Sequence, residues 1–255
     1  MDQFAQHNHF DPLVISATGC VLSGITEEDS DFWRGSIEAE PEVRPWLRHA
    51  KNLKFMGKQD RLAVIAVGRA LAALKSPLAD LRYQTALNLV VGYIPFERPD
   101  IELLAEHSQE HGKFSATRFG RDAIRQVNPL LTFRCLPNMP AFHVSLNFQM
   151  LGPYRVAYPD VAQWYSVLEH AQLMLAQDQV QAVVLAAVAD QRNFLVDQLY
   201  QRVRGDANLP CVDLATAWVV ETAARATQAG RPIQFQLDTC DFTYTAPTQT
   251  TGYGR

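Results

Sequence analysis

The chain has 255 residues, 47% hydrophobic and 20% charged, with a formal net charge of -4. That is ordinary for a soluble globular protein, and the length builds one large α/β domain or two small ones around a substantial core. With 23 Lys and Arg against 27 Asp and Glu, the balance does not suggest nucleic acid, whose partners carry an excess of basic residues.

The N-terminus, MDQFAQHNHF, lacks the basic and apolar regions of a signal peptide and reads as a flexible segment over residues 1–12. His7 and His9 lie there with no further metal ligand nearby in sequence, so no metal is expected. The run LVISATGCVL, Leu13 to Leu22, predicts a strand that enters a Ser-Gly turn. Thr26, followed by Glu27, Glu28 and Asp29, predicts a capped helix start, with the helix running to about Ile37. Leu62, Ile65, Leu71 and Leu74 recur at near-helical spacing within 58–74. A second strand is expected over Thr85 to Tyr93 (TALNLVVGY), then two short helices in the polar stretch 99–128. A β-like piece spans Tyr154 to Tyr158. From Val161 onward, Trp164, Leu168, Ala171 and Leu175 mark a one-faced helix packed on a sheet. The strand Ala182 to Val188 is apolar throughout, as a parallel strand covered on both faces would be. Its run, VQAVVLAAV, is too short to cross a bilayer. Asp213 to Glu221 predicts another strand, Thr222 to Gln228 a short helix closed by Gly230, and Pro232 to Thr245 a final alternating strand. One α/β domain with a mixed, mainly parallel sheet is expected over 13–245, followed by a linker-like tail, 246–255. The four cysteines, Cys20, Cys135, Cys211 and Cys240, form no CxxC pair and read as reduced thiols of a cytoplasmic protein.

The segment NPLLTFRCLPNMPAFHVSLNFQMLGP, Asn128 to Pro153, resembles a stretch of β-ketoacyl-acyl-carrier-protein synthases. Asn138, Met139, Ala141, His143, Ser145, Gly152 and Pro153 match that family's N-M-x-A-G-H-x-S and G-P motifs, while Phe142 replaces a glycine. ISATGCVLSG followed by Phe32 and Trp33, the pair of elements over 161–188, and DLATAWVVETAARATQAGRPIQFQL are similar to further parts of the family. The resemblance implies the N-terminal half of a thiolase-like fold. In the catalytic family, G-P is followed by a strand and a turn that sets a cysteine at the mouth of a long helix, where amides and dipole stabilise its thiolate. Counted from Gly152-Pro153 without a gap, that position is Val161, which has no nucleophilic atom. The chain also stops where the first half of a synthase stops, and the half that supplies two catalytic histidines and a lysine has no counterpart.

The resemblance therefore implies an inactive, chain-length-factor-like subunit that needs no cofactor. Its partner would be a full-length ketosynthase, with an acyl carrier protein as a further contact, in an aryl polyene or related polyketide or fatty-acid-like pathway. Leu130, Leu131, Thr132 and Phe133 correspond to a loop that shapes the acyl tunnel, and Tyr154, Val156 and Tyr158 to the strand that pairs across the dimer axis. Asn138 and His143 are expected to be structural, His143 as a buried, hydrogen-bonded ring. An isolated half would leave an apolar face exposed, so obligate association is expected. Two rival readings remain open: an acyl or thioester transferase using Cys135, and a carrier-protein-binding scaffold without effect on chain length. Lys113, Arg118, Arg121 and Arg125 serve either a solvated helix face or an acidic carrier protein. No GxGxxG, GxxxxGK[ST] or GxSxG motif is present.

Overall fold

The computed structural model describes residues 11–23, 37–38, 41–74, 78, 81–93, 96–160, 162–204 and 212–237. Its elements in chain order are β1 (Leu13–Ser23), β2 (Ile37–Glu38), α1 (Lys58–Ala72), β3 (Thr85–Val91), α2 (Arg98–His107), β4 (Gln109–Glu110), β5 (Lys113–Phe114) and α3 (Ala116–Arg121). They continue with α4 (Leu131–Cys135), α5 (Met139–Phe148), β6 (Tyr154–Ala157), α6 (Gln163–Ala176), β7 (Ala182–Ala189), α7 (Phe194–Arg204), β8 (Asp213–Thr222), α8 (Ala223–Gln228) and β9 (Phe235–Leu237).

Seven strands form one sheet in the order β2-β1-β8-β7-β3-β6, with β9 added beside β1. β7, β3 and β6 run parallel, whereas β8 lies antiparallel to both β1 and β7. The apolar run in β7 thus has one parallel and one antiparallel neighbour. Continuous hydrophobicity reports burial on both faces, and strand direction is not part of that signal.

Each face of the sheet is covered by helices. On one side α1 is buried along most of its length, with Val64, Ile65, Ala66 and Val67 fully enclosed against Leu87, Leu89 and Val219. Its many alanines let it sit close to the sheet. A Cβ on Gly19 of β1 would lie 2.1 Å from the Ala66 carbonyl oxygen, so only glycine allows that approach. On the other side α6 buries Val167, Leu168, Ala171, Met174 and Leu175 against Val183, Leu185 and Val220. This is the stripe its sequence spacing predicts. α8 closes as expected, with Gly230 at a φ of 63°, and at its start the Thr222 side chain accepts from the Arg225 amide.

Three expectations change. Ile37 lies in strand β2, not at a helix end, and the rest of the helix predicted from Thr26 falls outside the described residues. α7 was not predicted. Of the final strand, β9 covers Phe235–Leu237, residues 232–234 precede it outside any strand, and residues from 238 on lie outside the described residues, as do His7, His9, Phe32, Trp33, Cys211 and Cys240. No helix among the described residues is long and apolar enough to cross a membrane.

Candidate functional site

The entry to β6 is positioned by tight local packing. A Cβ on Gly152 would lie 2.3 Å from the Thr85 carbonyl oxygen, which accounts for glycine before Pro153. The Leu87 amide donates to the Pro153 carbonyl at 3.0 Å, and Leu87 and Leu89 register with Tyr154 and Val156. In a parallel ladder of this phase, residues 153, 155 and 157 turn their peptide groups toward β3. The N–H groups of Tyr154, Val156 and Tyr158 therefore point to the open side of β6, which ends the sheet's strand order. Along this edge Tyr154 and Tyr158 are 63% and 58% exposed, and Tyr83 and Leu151 stand exposed near its start. α6 begins at Gln163 after the cap residue Ala162, and Val161 itself lies outside the described residues. Beneath α6, the buried Asn88 donates to the Val167 carbonyl and meets His170, while Arg155 donates to the Ser166 hydroxyl, fixing the helix over β3 and β6.

The segment 130–133 lies elsewhere, at the start of α4. Leu130 precedes the helix, Leu131 is buried, and Phe133 is 45% exposed with its ring edge-on to Phe55 at 5.9 Å. Thr132 falls within α4, and its side chain is outside the described residues. Leu131 lines a cavity of about 430 Å³ beyond the C-terminal ends of β3 and β7, which also borders the starts of α1, α2 and α7. Open α/β sheets place ligands in such a crevice. Lys58 crosses its floor, its Nζ 2.9 Å from Asp190 and 2.7 Å from Asp213. These acids hold the lysine pKa above its ordinary value against the opposing effect of burial. Burial pushes the Asp190 carboxyl up.

Asn138 is exposed at the start of α5 and makes no side-chain cap there. His143 is buried, 1% exposed, but the hydrogen-bonded role expected of it is not found: neither ring nitrogen has a partner. Its Nε2 lies 3.9 Å from Asp60 Oδ2, which already accepts the Gly57 amide at 2.7 Å. Burial lowers the His143 pKa to about 4; the Phe55 backbone opposes this without forming a well-aligned hydrogen bond. Burial raises Asp60 to about 7, against the Gly57 amide and Arg61. Cys135 is a poor nucleophile: burial first, then the charges of Asp100 and Glu97, push its thiol up to about 11. Arg121 is exposed and Arg118 half-buried, and both pair with Asp122, as a largely solvated face would. Among the described residues, no cluster of His, Cys, Asp and Glu could hold a metal.

Sequence reasoning passed over Lys58, Asp190, Asp213 and Asp60. A signal existed for two of them, since Asp190 ends one apolar strand and Asp213 begins another.

The fold is similar to that of solved ketosynthases. One is AntDE:AntF, a type II polyketide synthase acyl-carrier protein in complex with its ketosynthase bound to the hexaketide. It is 14% identical with a TM-score of 0.67, over 90% of this chain and 67% of that one. A β-ketoacyl synthase from Burkholderia phymatum is 17% identical with a TM-score of 0.59, over 89% and 62% of the two chains. The ishigamide ketosynthase/chain length factor is 16% identical with a TM-score of 0.60, over 89% and 62%. The protein thus has an α/β fold of the thiolase-like, ketosynthase type and spans about two thirds of the length of these neighbours. No family model and no curated protein matches its sequence.

Proposed function

We propose that this chain is a non-catalytic, chain-length-factor-like partner of a full-length β-ketoacyl-acyl-carrier-protein synthase. It closes and shapes the acyl tunnel at a heterodimer interface, in aryl polyene or related polyketide or fatty-acid-like biosynthesis. The sequence carries the reading: counted without a gap from Gly152-Pro153, Val161 stands where the resemblance would put the cysteine of such enzymes. No shift of alignment rescues the nucleophile, because the sequence has no cysteine between Cys135 and Cys211. A condensing enzyme without that thiolate cannot accept an acyl chain. Support for a partner role comes from the exposed, tyrosine-rich edge of β6, whose outward N–H groups suit pairing with a second strand.

Co-expression with a ketosynthase from the same genome, followed by size-exclusion chromatography, tests the reading. The two chains are expected to elute together, and a stable monomer that ignores the synthase would refute the proposal. Val156→Pro sharpens the test. Its missing N–H and its ring fall on the open side of β6, so the β3 ladder survives and stability changes by only about 1 kcal/mol. Co-elution should nonetheless be lost.

Tunnel shaping has its own readout. In the reconstituted complex, Phe133→Ala is expected to lengthen the acyl product, because a smaller side chain moves the floor back. Phe133 is half exposed, so the truncation costs the fold little. Products of unchanged length would favour a scaffold.

A further inference from the structure

Three helices direct their N-termini into the cavity beyond β3 and β7: α1 through Gly57 and Lys58, α2 through Glu97 and Arg98, and α7 through Asn193 and Phe194. Helix starts leave backbone amides without intrahelical partners and carry partial positive charge. The basic side chains Lys58, Arg61, Arg98, Arg134 and Arg192 line the same space.

Three acids also line it, and two are already engaged. Asp190 holds Lys58 at 2.9 Å, and Glu97 faces Arg134 at 3.8 Å. Asp213, behind the lining, holds Lys58 from its other side at 2.7 Å, and within the lining Arg61, Arg98 and Arg192 stand against Asp100, so the basic side chains outnumber the acids there. Arg98 stacks over the Phe194 ring at 4.9 Å, which fixes its guanidinium beside the start of α7. Its pair with Glu102, at 3.7 Å, is exposed on both sides and screened by solvent. Arg134 is held at its outer nitrogens, by the Lys54 carbonyl at 3.5 Å and Glu97 at 3.8 Å, while its Nε is buried without a hydrogen-bond partner. A buried guanidinium N–H calls for an acceptor. Leu131, Phe96 and Phe194 supply an apolar wall.

We propose that this cavity binds a small molecule through an oxyanion, a phosphate or a carboxylate, with its apolar part against Leu131, Phe96 and Phe194. The volume of about 430 Å³ suits a small ligand and not a macromolecule. Arginine forks and helix N-termini are the groups that recognise such anions.

The inference does not rest on the partner role, because binding is read on the purified chain and, separately, on the complex. Isothermal titration with inorganic phosphate and with butyrate is the experiment. Saturable binding of at least one is expected, weakened about tenfold or more by Arg61→Gln combined with Arg192→Gln. Arg118→Gln with Arg121→Gln, on α3 outside the cavity, should bind as the parent does. Binding of phosphate assigns a phosphate ester, and binding of butyrate alone assigns a carboxylate. Absence of saturable binding by both, or binding that the cavity variant leaves unchanged, overturns the proposal. Should the double variant lose its circular-dichroism signature, Arg192→Gln alone changes an exposed side chain and gives the same readout.

Discussion

Replacing Glu221 by alanine is expected to cost about 3–5 kcal/mol, a large share of the total stability of a domain this size. Glu221 is fully buried in β8. It accepts a hydrogen bond from Ser16 at 2.7 Å and pairs with Arg231, whose side chain is only 6% exposed. The arrangement depends on a bulge in β1. Ile15 pairs with Val220 and Ala17 with Val219, so Ser16 is the extra residue between them. Removing the carboxylate takes the buried acceptor away from both Ser16 and Arg231, and breaking this buried pair dominates the loss. Glu221→Gln, which keeps an acceptor for Ser16, should lose less. Glu221→Leu combined with Arg231→Met should recover much of the stability, because apolar side chains replace both members of the buried pair. Urea unfolding of the four proteins checks this, and a double variant as unstable as Glu221→Ala would contradict it.

The pH dependence of Asp60 and His143 should be as large and less obvious. Asp60 has its pKa raised to about 7 from 3.8, so its contribution is complete below 3.8 and lost as pH rises through 7. His143 has its pKa lowered to about 4 from 6.5, so its contribution is complete above 6.5 and lost as pH falls through 4. Between pH 4 and 6.5 the two slopes oppose each other. Folding there moves a proton from imidazole to carboxyl with little net exchange, and the pair adds almost no pH dependence. Each single variant exposes the other slope. Asp60→Asn should gain about 3 kcal/mol of stability across that window as pH rises. His143→Gln should lose about 4 kcal/mol from pH 4 to 7. Unfolding free energies measured against pH test the slopes, and nitrogen NMR of the His143 ring midway through the window should find it neutral. Single variants with parallel slopes, or a protonated ring, would remove the explanation.

Much of the architecture was legible in the chain itself. The stripe Trp164, Leu168, Ala171 and Leu175 announced α6, and the spacing of Leu62, Ile65 and Leu71 announced α1, because one buried face imposes a helical period on the side chains. The glycine at 230 that closes α8 was readable too, because a helix end there needs a positive φ. The prediction over 26–37 failed at its end, where a capping pattern was extended without a periodic apolar face to sustain it.

The charged groups were not legible, because their partners are distant in sequence. Lys58 meets Asp190 132 residues away, and Ser16 meets Glu221 205 residues away. Nothing in a local window encodes such a meeting. The order that inserts β8 between β1 and β7, and leaves β6 at the edge, follows from how whole strands and helices pack. It is this order that carries Asp213 to Lys58, lays three helix starts around one cavity and turns Tyr154, Val156 and Tyr158 outward. The residues by themselves determined most of the elements, since these follow from the pattern of neighbouring positions. Which groups face one another, with what charge state and around what space, was decided by tertiary packing, because desolvation and Coulomb interaction depend on distance in space and not along the chain.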